Sequence, residues 1–301
     1  MNHIYLVGAN LFARFRCVRI VRIVQTNSHL QPLLLAFLLA SCALNPHADH
    51  EQAEAIAAPA HLALHLRSTP DFVLSTRERI GQPGADLTVY LEGDGLAWLS
   101  RSRPSPDPTP DDPVALRLAA LDNAPNVAWI ARPCQYTPAA RNPECRAFYW
   151  TKGRFSEAVV AATDTALSAI KQAAGAQQIH LVGYSGGGGL AVLVASRRSD
   201  VATLRTLAGN LDHRAFTSLH AVSPLDASLN PADFAARIAE IPQIHYVGEN
   251  DKVIPKTIAL AYLQQMPKTR CAVLRTLPNA THSEGWEATW REIVGRLPSC
   301  A

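Results

Sequence analysis

Residues 178–187 read QIHLVGYSGG, and the chain runs on through Gly188 and Gly189 into the small, apolar stretch LAVLVAS that ends at Ser196. Gln178 to Val182 (QIHLV) is short, apolar and β-branched, the pattern of a buried strand. Gly183-Tyr184-Ser185-Gly186-Gly187 then supplies G-x-S-x-G between that strand and the helix that follows. Four consecutive glycines after Ser185 would weaken a helix start unless crowding of the backbone required them. In this strand-turn-helix setting the serine is lifted onto a sharp turn at the carboxyl edge of a sheet. The helix N-terminus beside it offers free N–H groups and a favourable dipole. A glycine-rich phosphate loop is the structural rival, but it needs Gly-Lys-Ser/Thr, which is absent here.

Working outward, strands and helices alternate from Pro113 onward, the signature of right-handed crossovers and a largely parallel sheet. Helices are expected over Pro113 to Asp122, Phe155 to Ala174, Gly186 to Arg198, Pro231 to Glu240, Lys256 to Gln265 and Gly285 to Leu297. Strands are expected over Val127 to Ala131, Gln178 to Val182, Thr203 to Ala208, Gln243 to Val247 and Cys271 to Leu277. Leu62 to Leu66, Phe72 to Thr76 and Leu87 to Leu91 precede them as an antiparallel opening, which makes eight strands. The proline-rich run 103–113 is a surface loop, because proline cannot donate to a ladder. With 301 residues, 48% of them hydrophobic and 18% charged, the chain can bury one large core.

A serine hydroxyl needs a base within reach and donors aimed at the oxyanion it creates. At this point the sequence resembles the α/β-hydrolase superfamily over roughly Leu62 to Leu297, which implies an α/β fold with a mostly parallel eight-stranded sheet flanked by helices. The resemblance also implies the chain order serine, acid, histidine. Ser185 takes the place of the nucleophile. Asp251, in GENDKVIP after the strand Gln243 to Val247, takes that of the acid, with Glu249, Asp226 and Asp212 as alternatives. His282, in THSEGW after the last strand, takes that of the base, and it alone of the 11 histidines lies beyond Asp251. His213 and His220 fall outside this order. The oxyanion donors implied are the N–H of Gly186 and that of Asp94, in a loop Glu92-Gly93-Asp94-Gly95 that is similar to His-Gly-x-Gly with Glu92 in place of the histidine. A carboxylate facing an oxyanion would repel it, so only the Asp94 backbone is expected to point inward.

Before this domain, four arginines are followed by LLLAFLL (Leu33 to Leu39) and Ala40-Ser41-Cys42, in the order basic, apolar, small that marks a secretory signal. The apolar run is too short to span a bilayer. Leu39-Ala40-Ser41-Cys42 resembles a bacterial lipoprotein signal, which implies lipidation of Cys42, and Ala43 after it implies the outer membrane. An ordinary cleaved signal or a buried leader helix is the alternative. The organisation expected is a signal at 1–41, a tether at 42–60 and a hydrolase domain at 61–301. The formal charge is +3, and the arginines at 14, 16, 19 and 22 are the only charged residues before Cys42, so the remainder is one unit negative and lacks the electrostatic footprint of a nucleic-acid binder.

Of six cysteines, Cys17 would leave with the leader and Cys42 would be acylated, leaving Cys134, Cys145, Cys271 and Cys300. In an oxidising periplasm these make two bridges. Cys134 with Cys145 and Cys271 with Cys300 is the favoured pairing, with other pairings or four reduced thiols still open. No CxxC or HExxH spacing suggests a metal, and the chemistry needs no organic cofactor. The reaction expected is hydrolysis of a lipid or small acyl ester. A peptidase or thioesterase would use the same residues, and a non-catalytic envelope lipoprotein that keeps the scaffold is the rival from another class.

Overall fold

The computed structural model describes residues 48–300; the signal, Cys17 and Cys42 lie outside the described residues. Helix α1 (Ala48–Ala57) is followed by strands β1 (Ala63–Ser68), β2 (Val73–Ile80) and β3 (Leu87–Leu91), helix α2 (Val114–Ala120) and strand β4 (Asn126–Ile130). Then come α3 (Glu157–Ala174), β5 (Ile179–Tyr184), α4 (Gly186–Ala195), β6 (Val201–Leu207), α5 (His213–Leu219), β7 (Gln243–Gly248), α6 (Lys256–Gln264), β8 (Ala272–Leu277) and α7 (Trp286–Ile293). The strands form one eight-stranded sheet in the order β1-β2-β4-β3-β5-β6-β7-β8. β2 pairs antiparallel with both β1 and β4, and every other pairing is parallel.

Strand alternation sorts the core onto two faces. On β3, Leu87, Val89 and Leu91 join the cluster that includes α3 and α4, whereas Tyr90 joins the cluster of α2, Trp129, Trp286 and Trp290. Every residue of β3, β4 and β5 is buried, as parallel strands covered on both faces require. The parallel strands therefore bring their carboxyl ends to one edge of the sheet, where the loops after β3, β5, β7 and β8 converge.

Four elements differ from the sequence expectation. Ala48–Ala57 lies in the stretch expected to be a tether, yet it is helical. Its Ala53 and Ala57, one turn apart, are buried beside α2, and Glu54 pairs with Arg77. β2 runs on to Ile80 because Arg77 and Glu78 are buried with partners, Glu78 accepting from Arg67 Nε at 2.9 Å. Pro231–Ile238, expected as part of an α-helix, is a 3-10 helix, and α5 was not anticipated. Disulfides join Cys134 to Cys145 and Cys271 to Cys300, the latter tying the end of the chain to the start of β8.

Candidate active site

Ser185 stands between β5 and α4 with φ 51° and ψ −120°, a conformation that is uncommon for a residue with a side chain. It is held there by its own N–H, which donates to Leu207 O at 2.9 Å, and by its carbonyl, which accepts from Gly188 N at 3.0 Å and Asn210 N at 2.9 Å. Two of the glycines in the turn are dictated by close approach. A Cβ on Gly187 would meet Leu91 O at 2.2 Å, and one on Gly186 would meet the Asp94 carboxylate at 2.1 Å. A side chain at Gly187 would push the elbow away from the end of β3, and one at Gly186 would displace the Asp94 carboxylate.

Ser185 Oγ lies 3.1 Å from His282 Nε2, and His282 Nδ1 lies 2.9 Å from Asp251 Oδ2. The Asp251 side chain is fully buried, and its other oxygen accepts from Val253 N and Ile254 N, both at 2.8 Å. That arrangement leaves one carboxylate oxygen for the imidazole and fixes which way it points. His282 is anchored through its carbonyl, which accepts from Tyr184 Oη at 3.0 Å and Trp286 Nε1 at 2.9 Å. With a hydroxyl, an imidazole and a carboxylate in one line, a proton can leave the serine while the resulting imidazolium is stabilised from behind.

Two of the other acids considered are engaged elsewhere, Asp212 capping α5 through Arg214 N and Ala215 N and Glu249 accepting from Asn279 N, while Asp226 is exposed. His220 contacts Val253 O at 2.8 Å, and His213 is buried at the start of α5. Among the described residues no group of three or more His, Cys, Asp or Glu is arranged to hold a metal.

In the loop after β3, Glu92 turns away from Ser185. Its carboxylate is buried and accepts from Gly93 N (2.9 Å), Ala115 N (3.4 Å), Leu116 N (3.2 Å) and Trp129 Nε1 (2.9 Å), so it caps the first turn of α2. Burial raises its pKa above the ordinary value, and these donors only partly offset that.

Asp94 corrects the expectation that only its backbone points inward. Its carboxylate rests against Gly186, clamped between Arg132 Nη1 and Arg154 Nη1 at 2.8 Å each. Burial alone would disfavour its charge, but Arg154 and Arg132 outweigh burial and hold Asp94 below the ordinary carboxylate value. A buried carboxylate is tolerable here because two buried guanidinium groups, one of them stacked over Phe155, leave the trio with a net positive charge.

Sequence reasoning missed both arginines in this role. The available signal was position: Arg132 lies two residues beyond β4, the neighbour of β3, on the edge where the other site loops gather.

The family described as Serine hydrolase (FSH1) matches residues 113–276, a span that holds Ser185 and Asp251 and stops short of His282. Among solved structures, the chain is similar to an esterase from Pyrococcus furiosus, with 12% identity over 79% of this chain and 90% of that one at a TM-score of 0.52. It is also similar to Est1E from Butyrivibrio proteoclasticus (14% identity, 77% and 95% covered, TM-score 0.52). An α/β hydrolase from Penicillium sp. sh18 matches at 15% identity, with 78% and 95% covered and a TM-score of 0.55. At such identities the likeness speaks for the α/β-hydrolase fold. No curated protein sequence matches the chain. With the family match covering more than half of its residues, the chain belongs to the serine hydrolase family FSH1.

Proposed function

We propose that this serine hydrolase cleaves carboxylic esters through a triad of Ser185, His282 and Asp251. The observation that carries the reading is the unbroken line of contacts from Ser185 Oγ to His282 Nε2 (3.1 Å) and from His282 Nδ1 to Asp251 Oδ2 (2.9 Å). His282 takes the Ser185 proton as Oγ attacks the acyl carbonyl, then returns it to the leaving alcohol. Water, activated by the same imidazole, clears the acyl-enzyme and regenerates the serine. The N–H groups of Gly186 and Asp94 receive the oxyanion; Gly186, first in α4, has an N–H without an intrahelical acceptor. Two of the similar folds are described as esterases, which favours an ester over an amide or thioester.

The substrate is a small-molecule or lipid acyl ester. The catalytic domain is carried at the cell envelope of a bacterium by lipid on Cys42, after removal of residues 1–41. Acylation with more than one chain would make that anchoring stable.

Turnover of an ester, a thioester and an amide that share one acyl group tests the chemistry. Preferential ester hydrolysis that is abolished in Ser185→Ala is expected, and amide hydrolysis at a comparable rate would point to a peptidase. Incorporation of radiolabelled palmitate that disappears in Cys42→Ala tests the anchor, and incorporation that persists in that variant would exclude Cys42 as its site.

A further inference from the structure

Of the three residues in line, His282 has the farthest to come. Its loop begins after β8, the edge strand of the sheet, while Ser185 stands at the end of β5, with β6 and β7 in between. At ~4.8 Å per strand the loop crosses roughly 14 Å to set an imidazole beside Oγ. Its far end must be fixed in place, because a displacement of about 1 Å at the reacting atoms can cost on the order of 100-fold in rate.

Three side-chain donors hold the main chain there. Tyr184 Oη and Trp286 Nε1 donate to His282 O at 3.0 Å and 2.9 Å, and Arg117 Nη2 donates to Ser283 O at 3.1 Å. Tyr184 stands next to Ser185 on β5, and Trp286 belongs to α7, the helix into which the loop itself runs. Arg117 comes from elsewhere. It lies on α2, in the chain between β3 and β4, the strands on the opposite side of β5 from β8. Of the three donors it is therefore the one that reaches the loop from across the nucleophile.

The remaining nitrogens of Arg117 face carboxylates. Nη1 lies 2.9 Å from Asp112 Oδ1, just before α2, and Nε lies 2.8 Å from Glu287 Oε1, in the first turn of α7, without closing a hydrogen bond. Partly exposed ion pairs of this kind add little stability, but a planar guanidinium held at two nitrogens has its third directed. The helix that carries it is fixed in turn from the loop after β3, because Glu92 accepts from Ala115 N and Leu116 N beside Arg117. One helix thus ties the loop after β3 to the loop that carries His282. We propose that Arg117 is a positioning residue for hydrolysis, setting the His282 imidazole over Ser185 through the Ser283 carbonyl. This rests on the reading of His282 as the general base, and in this role Arg117 acts through His282 alone.

Turnover of 4-nitrophenyl butyrate and the rate of fluorophosphonate labelling provide the test. Arg117→Ala is expected to lower kcat at least about tenfold while KM changes less than about threefold, because the base is needed for the chemical step and not for binding. The labelling rate of Ser185 should fall by a similar factor. In a His282→Ala background the same substitution is expected to change that rate less than about twofold, since a residue that acts through the imidazole then has nothing to act on. A folded Arg117→Ala protein with the parent's kcat, or an equal loss of labelling rate with and without His282, would overturn the proposal. If Arg117→Ala does not fold, Arg117→Lys replaces it in the same cycle: it keeps a cation for Asp112 and Glu287 but loses the fork, and a loss of at least about fivefold in kcat is expected. A folded Arg117→Lys protein with the parent's kcat would then overturn it. Failure of the triad reading has a different signature, namely a parent that takes up no probe or a His282→Ala variant that labels as fast as the parent.

Discussion

Replacing Arg154 with Gln removes one of the two cations that clamp the Asp94 carboxylate against Gly186. Asp94, Arg132 and Arg154 together carry one net positive charge, and Arg154→Gln reduces it to zero. The Asp94 carboxylate lies 2.1 Å from where a Cβ on Gly186 would stand. Adding bond and hydrogen-bond lengths, an oxyanion held by Gly186 N–H sits no more than about 8 Å from that carboxylate and about 11 Å from the Arg154 guanidinium. At an effective dielectric constant of about 20, a unit charge at that longer distance is worth at least about 1.5 kcal/mol, or about tenfold in rate. The loss is expected in kcat on a simple ester, with KM changed little, because the charge it opposes develops only in the transition state. Adding Asp94→Asn to Arg154→Gln restores the net positive charge and is expected to bring kcat back to within about threefold of the parent on the same Coulomb argument. A double variant no faster than Arg154→Gln alone would refute the electrostatic account and leave Arg154 as scaffold.

Other expectations follow from single contacts. Asp251→Asn keeps an oxygen for Val253 N and Ile254 N, so it should fold, but it places the wrong partner on His282 Nδ1 and should lower kcat by about 10⁴. Circular dichroism and ester turnover check both halves of that statement. Glu92→Gln brings an amide NH₂ against N–H donors of Gly93, Ala115, Leu116 and Trp129 and should cost about 1–3 kcal/mol in urea denaturation. An unchanged midpoint and slope would contradict it. Because Asp94 is held below its ordinary pKa, its ion pairs stabilise fully above the unfolded value of about 4 and fade as pH falls through the folded one. The stability gap between the parent and Asp94→Asn should therefore narrow in acid below about pH 4, and a constant gap would exclude that linkage. Opening Cys271–Cys300, a separation of 29 residues, with a pair of serines should cost about 3.5 kcal/mol by chain entropy, read from the denaturation midpoint.

The fold was legible because its strongest features are local. The strand, the strained serine and the glycines of residues 178–187 announce an elbow. The alternation that follows leaves little choice but a parallel sheet, and Asp251 and His282 each fall just beyond a strand that an apolar run had marked. What the sequence withheld depends on tertiary partners. α1 buries alanines, which carry too little hydrophobic contrast to create a period, so Ala53 and Ala57 gave no signal. The end of β2 carries Arg77 and Glu78 inward, against the usual polarity of a buried strand, because Glu54 and Arg67 meet them there. The orientation of Asp94 was misjudged for the same reason: Arg132 and Arg154 are 38 and 60 residues away in sequence and become its neighbours only when the sheet assembles.

Whether Ser185 is an activated nucleophile is measured most directly by mapping a fluorophosphonate adduct by mass spectrometry on the folded, disulfide-intact protein. A single modified peptide carrying the probe on Ser185 is expected, with labelling lost in Ser185→Ala and sharply slowed in His282→Ala. A folded protein that takes up no probe, or takes it up at another residue, would contradict it.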